Sequence, residues 1–89
     1  AKFRAFGWNV IVLENGHDIP AIRAALAEAV ATTGAPTALI CPTIKGKGVS
    51  FMEDQANWHG VAPNAEEAAK ALAEIDAAAE ALAAVAKEA

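Results

Sequence analysis

The chain has 89 residues, 11 acidic against 7 basic, and a net charge of -4. That length allows one domain at most, with a smaller buried share of surface than a typical domain has. The acidic balance argues against general nucleic-acid binding, which shows a basic face. No apolar run reaches the length of a membrane span.

The first residues, "AKFRAFGWNV", lack the apolar core of a signal peptide. Asn9 to Leu13, "NVIVL", is a compact β-branched run that reads as a buried parallel strand, apolar on both faces. Asn15-Gly16 is a turn signal, Asp18 a good N-cap, and Pro20 falls in the first helical turn, where its missing N–H costs nothing. Ile22, Leu26, Ala29 and Val30 recur at helical spacing, which predicts an amphipathic helix from Ile19 to about Thr32. Gly34 and Pro36 are its expected terminators.

Thr37 to Cys41, "TALIC", reads as a second buried strand, and Pro42, which cannot donate to a ladder, marks its end or a sheet edge. Cys41 is the chain's single cysteine, which excludes an internal disulfide and suits a cytoplasmic protein. Its apolar neighbours place it in the core. Strand, helix and strand make one βαβ unit with parallel strands. After a polar loop, Asn64 can cap a long alanine-rich helix, with Glu66 and Glu67 at its positive end. Ala68, Leu72, Ile75, Ala79 and Leu82 form a narrow apolar seam, expected to pack on the helix's own domain rather than in a coiled coil. The class is therefore α/β. Two parallel strands want neighbours on both sides and helices on both faces. The chain thus reads as one piece of a larger α/β domain, which either docks on other segments or is a trimmed remainder of a longer protein.

The loop "TIKGKGVSFMEDQANWHG", Thr43 to Gly60, carries the candidate chemistry. Ligands of open α/β sheets bind beyond the carboxyl ends of the strands, and Lys45, Gly46, Lys47 and Gly48 follow the second strand. Glycines let backbone N–H groups approach an anion, and a lysine adds a compact positive charge suited to phosphate. His59 can donate a hydrogen bond or titrate near neutral pH. The spacing is neither a P-loop nor a dinucleotide fingerprint. On chemistry alone, a solvated connector and a phosphate site both stand. His17 and His59 belong to no metal-ligand cluster, and Glu53 and Asp54 read as a solvated turn.

Taken together, "FGW", "GHD", "TIKGKGVSFME" and "WHG", in order and in register, are similar to the thiamine diphosphate-binding domain of transketolase. The likeness is greatest to forms whose N-terminal half is a separate subunit, and it covers Phe3 to about Ile75. It implies part of a three-layer αβα thiamine diphosphate-binding fold: one βαβ unit, then a long C-terminal alanine-rich helix with 76–89 as a tail. It also implies transfer of a two-carbon ketol unit between sugar phosphates, in the pentose phosphate pathway, with the cofactor doing the carbon chemistry.

Residue by residue, the resemblance implies that Lys45, Gly46 and Gly48 face the cofactor. Lys45 would also face the sugar phosphate. His59 would line the substrate channel, with a catalytic role toward the diphosphate or a reacting sugar oxygen. His17 and Asp18 would fix the strand-to-helix turn, Phe6 and Trp8 would pack, and Lys47 is open between site and solvent. The family's Gly-Asp-Gly metal motif, its asparagine and its catalytic glutamate are not in these residues. A Mg2+ or Ca2+ ion would therefore be held by other segments or a partner subunit, in a homo- or hetero-oligomer such as a dimer. The chain alone should be inactive. The related deoxyxylulose phosphate synthase, which shares "GHD" and "KGKG", is a second reading. A non-catalytic assembly module that kept the βαβ unit is a third.

Overall fold

The computed structural model describes residues 1–88, so Ala89, the end of the expected helical tail, lies outside the described residues. Two compact units divide the chain, the first running from Ala1 to Thr43 and the second starting at Ile44.

The first unit opens with a short helix, α1 (Lys2–Ala5), which the sequence pattern did not announce. The chain reverses at Gly7, whose φ of +85° is open to glycine and costly for other residues. The reversal folds Trp8 back so that its amide donates to the Phe3 carbonyl at 3.1 Å and its ring lies 5.2 Å from the Phe3 ring. Trp8 therefore packs on Phe3, although both rings stay exposed. Phe6 does not: it sits at the C-cap of α1, on the outside of the reversal, and is 85% exposed.

Strands β1 (Asn9–Val12) and β2 (Thr37–Ile40) pair in parallel, Asn9 opposite Thr37 and Val12 opposite Ile40. The Asn9 amide Nδ2 adds a side-chain bond to Thr37 Oγ1 at 3.2 Å across the same register position. Helix α2 (Ile19–Ala31) is the crossover between them. This is the expected βαβ unit, because parallel strands cannot be joined by a tight turn. Asp18 caps α2 by accepting from the Ala21 amide at 3.2 Å, a bond whose loss typically costs about 1 kcal/mol. The helix ends at Ala31 with Thr32 as its C-cap, close to the expected end at about Thr32. Thr32 takes an extended ψ of 118°, and its hydroxyl donates back to the Glu28 carbonyl at 2.8 Å. Gly34, at φ +88°, turns the chain toward β2.

The core of this unit is small: Leu13, Ala25 and Ala38 are its buried apolar residues. The expectation of strands buried on both faces is corrected by Val12, 62% exposed, and by Ile40, also exposed. A two-stranded sheet has too few neighbours to cover both faces of either strand. Cys41 is exposed, not a core thiol, because β2 ends at Ile40 and the residue after it leaves the sheet.

In the second unit a 3₁₀ turn (Ala56–Trp58) precedes the long helix α3 (Ala65–Glu88). Asn64 and Glu67 cap it reciprocally. The Glu67 amide donates to Asn64 Oδ1 at 2.8 Å, and the Asn64 amide donates to Glu67 Oε1 at 3.0 Å. The expected burial of the α3 seam is overturned: Leu72, Ile75 and Leu82 are exposed, Leu82 by 71%, and no residue of α3 is buried. The helix is held by its cap and by polar bonds rather than by an apolar face.

The turn after β1 is tied to the segment after β2 at Gly16, whose amide donates to the Pro42 carbonyl at 2.8 Å. A Cβ built on Gly16 would overlap that same oxygen, so only glycine allows the approach. We predict that Gly16→Ala destabilises the chain by about 1–3 kcal/mol, read as a lower midpoint in equilibrium urea unfolding. An unchanged midpoint would mean the two segments are not held together in this way.

Candidate functional site

The candidate residues lie in a loop that is shaped by its own backbone. Glycines set its course. Gly46 has φ +72°, and a Cβ on it would come within 2.6 Å of the Met52 carbonyl oxygen, while Gly48 has φ +104°. Asp54 takes the left-handed region at φ 56°, which Asp tolerates better than most residues. Its amide donates to the Lys45 carbonyl at 2.9 Å and closes the loop. Within it, the Lys47 amide bonds the Ile44 carbonyl at 3.2 Å, and the Val49 amide bonds the Gly46 carbonyl at 3.2 Å. Val49 is the buried apolar anchor.

Two carboxylates finish this structure. Glu53 Oε1 accepts from the Gly48 amide at 3.1 Å and lies 3.7 Å from the Lys47 ammonium. An exposed ion pair of that length contributes about 0–1 kcal/mol. A carboxylate bonded to a backbone N–H is a charge-assisted hydrogen bond of the stronger kind. The amide contact therefore governs where Glu53 sits, and Lys47 follows it. Glu53, expected as part of a solvated turn, is instead a half-buried internal acceptor. Glu74 of α3 clamps the far end: the Ser50 amide and hydroxyl each donate to one of its oxygens at 2.6 Å. The Ser50 hydroxyl bond first and its amide bond second hold the Glu74 carboxyl below the ordinary glutamate range. Lys70 adds to this, while slight desolvation opposes it.

The four sequence-derived candidates are all exposed on this unit. Lys45, Gly46 and Gly48 share the tight turn, and His59 follows the 3₁₀ turn as its C-cap, with its amide on the Ala56 carbonyl. Among the described residues no carboxylate pairs with the Lys45 ammonium, and no side-chain hydrogen bond engages the His59 ring. The Gly48 amide is already engaged by Glu53. Trp58 is structural: its Nε1 donates to the Phe51 carbonyl at 3.1 Å, and the two rings lie 5.7 Å apart. Phe51 and Trp58, with Glu67 and Lys70, line an open pocket of about 320 Å³ in which neither Lys45 nor His59 takes part. In the first unit, Asp18 and the Asn15 side chain, which accepts from the His17 amide at 2.9 Å, build the strand-to-helix turn.

Sequence reasoning missed Ser50, Glu53 and Glu74 as the residues that hold the loop. Ser50 and Glu74 are joined across 24 positions and carry no local signal. Glu53 lies close to Gly48 in sequence, but an acid beside an exposed turn looks the same whether it faces water or an amide. Among the described residues there is no group of three or more His, Cys, Asp or Glu able to hold a metal ion, and no helix is long and apolar enough to cross a membrane.

Comparison with known proteins bears on the loop. Residues 1–88 match the family described as transketolase, thiamine diphosphate binding domain. The chain is 46% identical over 59 residues to mouse (Mus musculus) transketolase-like protein 2, which is 66% of this chain and 9% of that protein. It is 40% identical over 73 residues to transketolase 2 of Xanthobacter flavus, 82% of this chain and 11% of that protein. It is 39% identical over 74 residues to one of the subunits of the apulose-4-phosphate transketolase of Phocaeicola vulgatus, 83% of this chain and 26% of that protein. The chain thus spans about a tenth of the length of the full-length relatives it matches first.

The Ser50–Glu74 clamp has a pH signature. A carboxyl whose folded pKa is depressed adds stability that is fully present above its unfolded value, about 4.3, and is lost as pH falls through the folded value. We expect Glu74→Gln to weaken the second unit at neutral pH and to flatten its acid sensitivity below about pH 5. Exchange of the Ser50 amide, followed against pH, reads both effects. If wild type and Glu74→Gln show the same pH dependence, the clamp does not operate.

Proposed function

This chain belongs to the transketolase thiamine diphosphate-binding domain family, and on that premise we propose that it supplies one wall of a ketol-transferring site. The reaction moves a two-carbon ketol unit from a ketose phosphate to an aldose phosphate. Thiamine diphosphate, when bound, supplies the carbon nucleophile for that transfer. The observation that carries the reading is the free state of two side chains. Lys45 is unpaired among the described residues, and the His59 ring is exposed and engaged by no side-chain hydrogen bond there.

The donor set fits one end of the cofactor. A lysine ammonium is a compact positive charge that suits diphosphate or sugar-phosphate oxygens. The Gly46 turn sets the backbone that carries it, and Gly48 completes that turn. His59 can donate a hydrogen bond to a diphosphate or sugar oxygen. The rest of the cofactor is not provided for. The described residues contain no metal-ligand cluster and no buried carboxylate toward an aminopyrimidine. A Mg2+ or Ca2+ ion and the remaining binding groups would come from other segments or from a partner subunit. That one relative is named as a single subunit of its transketolase supports this.

The exposed apolar residues support docking of the same kind. Val12 and Val30 in the first unit, and Leu72, Leu82 and Val85 on α3, are exposed apolar side chains that docking on other segments would cover. In this reading the chain alone is inactive.

Isothermal calorimetry of the chain with thiamine diphosphate and magnesium should detect no micromolar binding. In the complete transketolase, Lys45→Ala should raise the apparent constant for cofactor or sugar phosphate by about tenfold, the loss of one charge-assisted contact. His59→Ala should lower turnover by about a hundredfold, the scale of one proton-transfer group. Unchanged kinetics in both variants would remove these residues from the site.

A further inference from the structure

The loop holds two lysines two positions apart, and nothing in their spacing tells them apart. Their surroundings do. Lys47 lies 3.7 Å from Glu53 Oε1, and that same oxygen accepts the Gly48 amide at 3.1 Å. One carboxylate oxygen therefore serves the amide and the ammonium of neighbouring residues, so Lys47 has its partner within the turn. Lys45 is treated differently. Its carbonyl is pinned by the Asp54 amide at 2.9 Å, yet among the described residues its ammonium has no carboxylate partner. The backbone that separates the two is rigid in direction. Gly46 stands at φ +72° against Met52 with no room for a Cβ, and Gly48 stands at φ +104°.

We infer that Glu53 is a positioning residue that sorts the two lysines: it retires Lys47 as a strut of the turn and leaves Lys45 as the cation that meets phosphate oxygens. The inference deepens the proposed function and rests on it for the identity of the anion. It also accounts for the alternation of lysine and glycine. Each glycine gives a backbone direction that a side-chain-bearing residue resists, and the single acid downstream decides which of the two cations is left over. Glu53 touches no ligand in this arrangement and acts through the Gly48 amide and the Lys47 ammonium.

The test has two arms. In the chain itself, without ligand, an amine-reactive label followed by mass spectrometry should modify Lys45 faster than Lys47. Glu53→Gln keeps an oxygen for the Gly48 amide but removes the charge, so it should bring Lys47 up to the rate of Lys45. Glu53→Ala should in addition speed exchange of the Gly48 amide by about tenfold, the scale of one lost hydrogen bond. In the complete transketolase, with thiamine diphosphate as probe, Lys45→Met should raise the apparent cofactor constant by about tenfold and Lys47→Met by less than about twofold. Glu53→Ala should raise that constant more than it lowers turnover, with Glu53→Gln restoring much of the loss. Equal labelling of the two lysines in the wild type, or a Gly48 exchange rate indifferent to Glu53→Ala, overturns the sorting. So does a Lys47→Met defect as large as that of Lys45→Met. If the labelling and exchange results hold while Lys45→Met leaves the cofactor constant unchanged, the strut stands and the proposed function of Lys45 is what fails.

Discussion

A backbone N–H that leaves a helix or strand must find another acceptor, and this requirement shapes nearly every junction of the chain. Asp18 takes the amide of Ala21 at the start of α2, and Asn64 takes that of Glu67 at the start of α3. The Pro42 carbonyl takes Gly16, Glu53 takes Gly48, and Glu74 takes Ser50. All but the Pro42 carbonyl are side-chain acceptors. The apolar core that would otherwise fix such junctions is small, with Leu13, Ala25, Ala38 and Val49 buried. Polar closure therefore determines the local conformation, and the candidate site inherits its geometry from it.

The consequence for chemistry is a division of labour among like residues. Glu53, Glu67 and Glu74 are spent on backbone amides. Lys47 is drawn to one of those carboxylates, while Lys45 and the His59 ring are left exposed. A side chain already engaged in closing a turn must break that bond to take a ligand, whereas an exposed, unpaired one need only shed water. That difference, rather than charge alone, separates the residues proposed to meet phosphate from those that hold the loop.

Much of this was legible beforehand, for reasons that differ from element to element. The βαβ unit declared itself because a β-branched run, an N-cap with proline in the first turn, and a second apolar run are all local signals, and local signals survive in any context. The GHD turn was legible for the same reason. Cys41 and the α3 seam were misread because burial is not local. "ALIC" is apolar whether or not a second layer covers it, and Cys41 lies beyond the last paired residue of β2. Phe6 and Trp8 are separated only by Gly7, and the positive φ of that glycine sends one ring back onto Phe3 and the other into solvent. The end of α2 near Thr32 was legible too, from Gly34 and Pro36 just beyond it, and the Thr32 hydroxyl bonded to the Glu28 carbonyl marks the last turn.

The sequence by itself determined the α/β class, the parallel pairing that a helical crossover requires, the capping residues and the family. Each of these depends on residue types at short spacing or in register along the chain. Only the tertiary structure decided which acid closes which amide, which lysine is paired, and which apolar residues stay open. Those outcomes rest on contacts such as Ser50 with Glu74, 24 positions apart, and on oxygen-to-nitrogen distances of a few ångströms. Hydrogen bonds and ion pairs are short-ranged and directional, so a string of residue types names the candidates, and the folded backbone chooses among them.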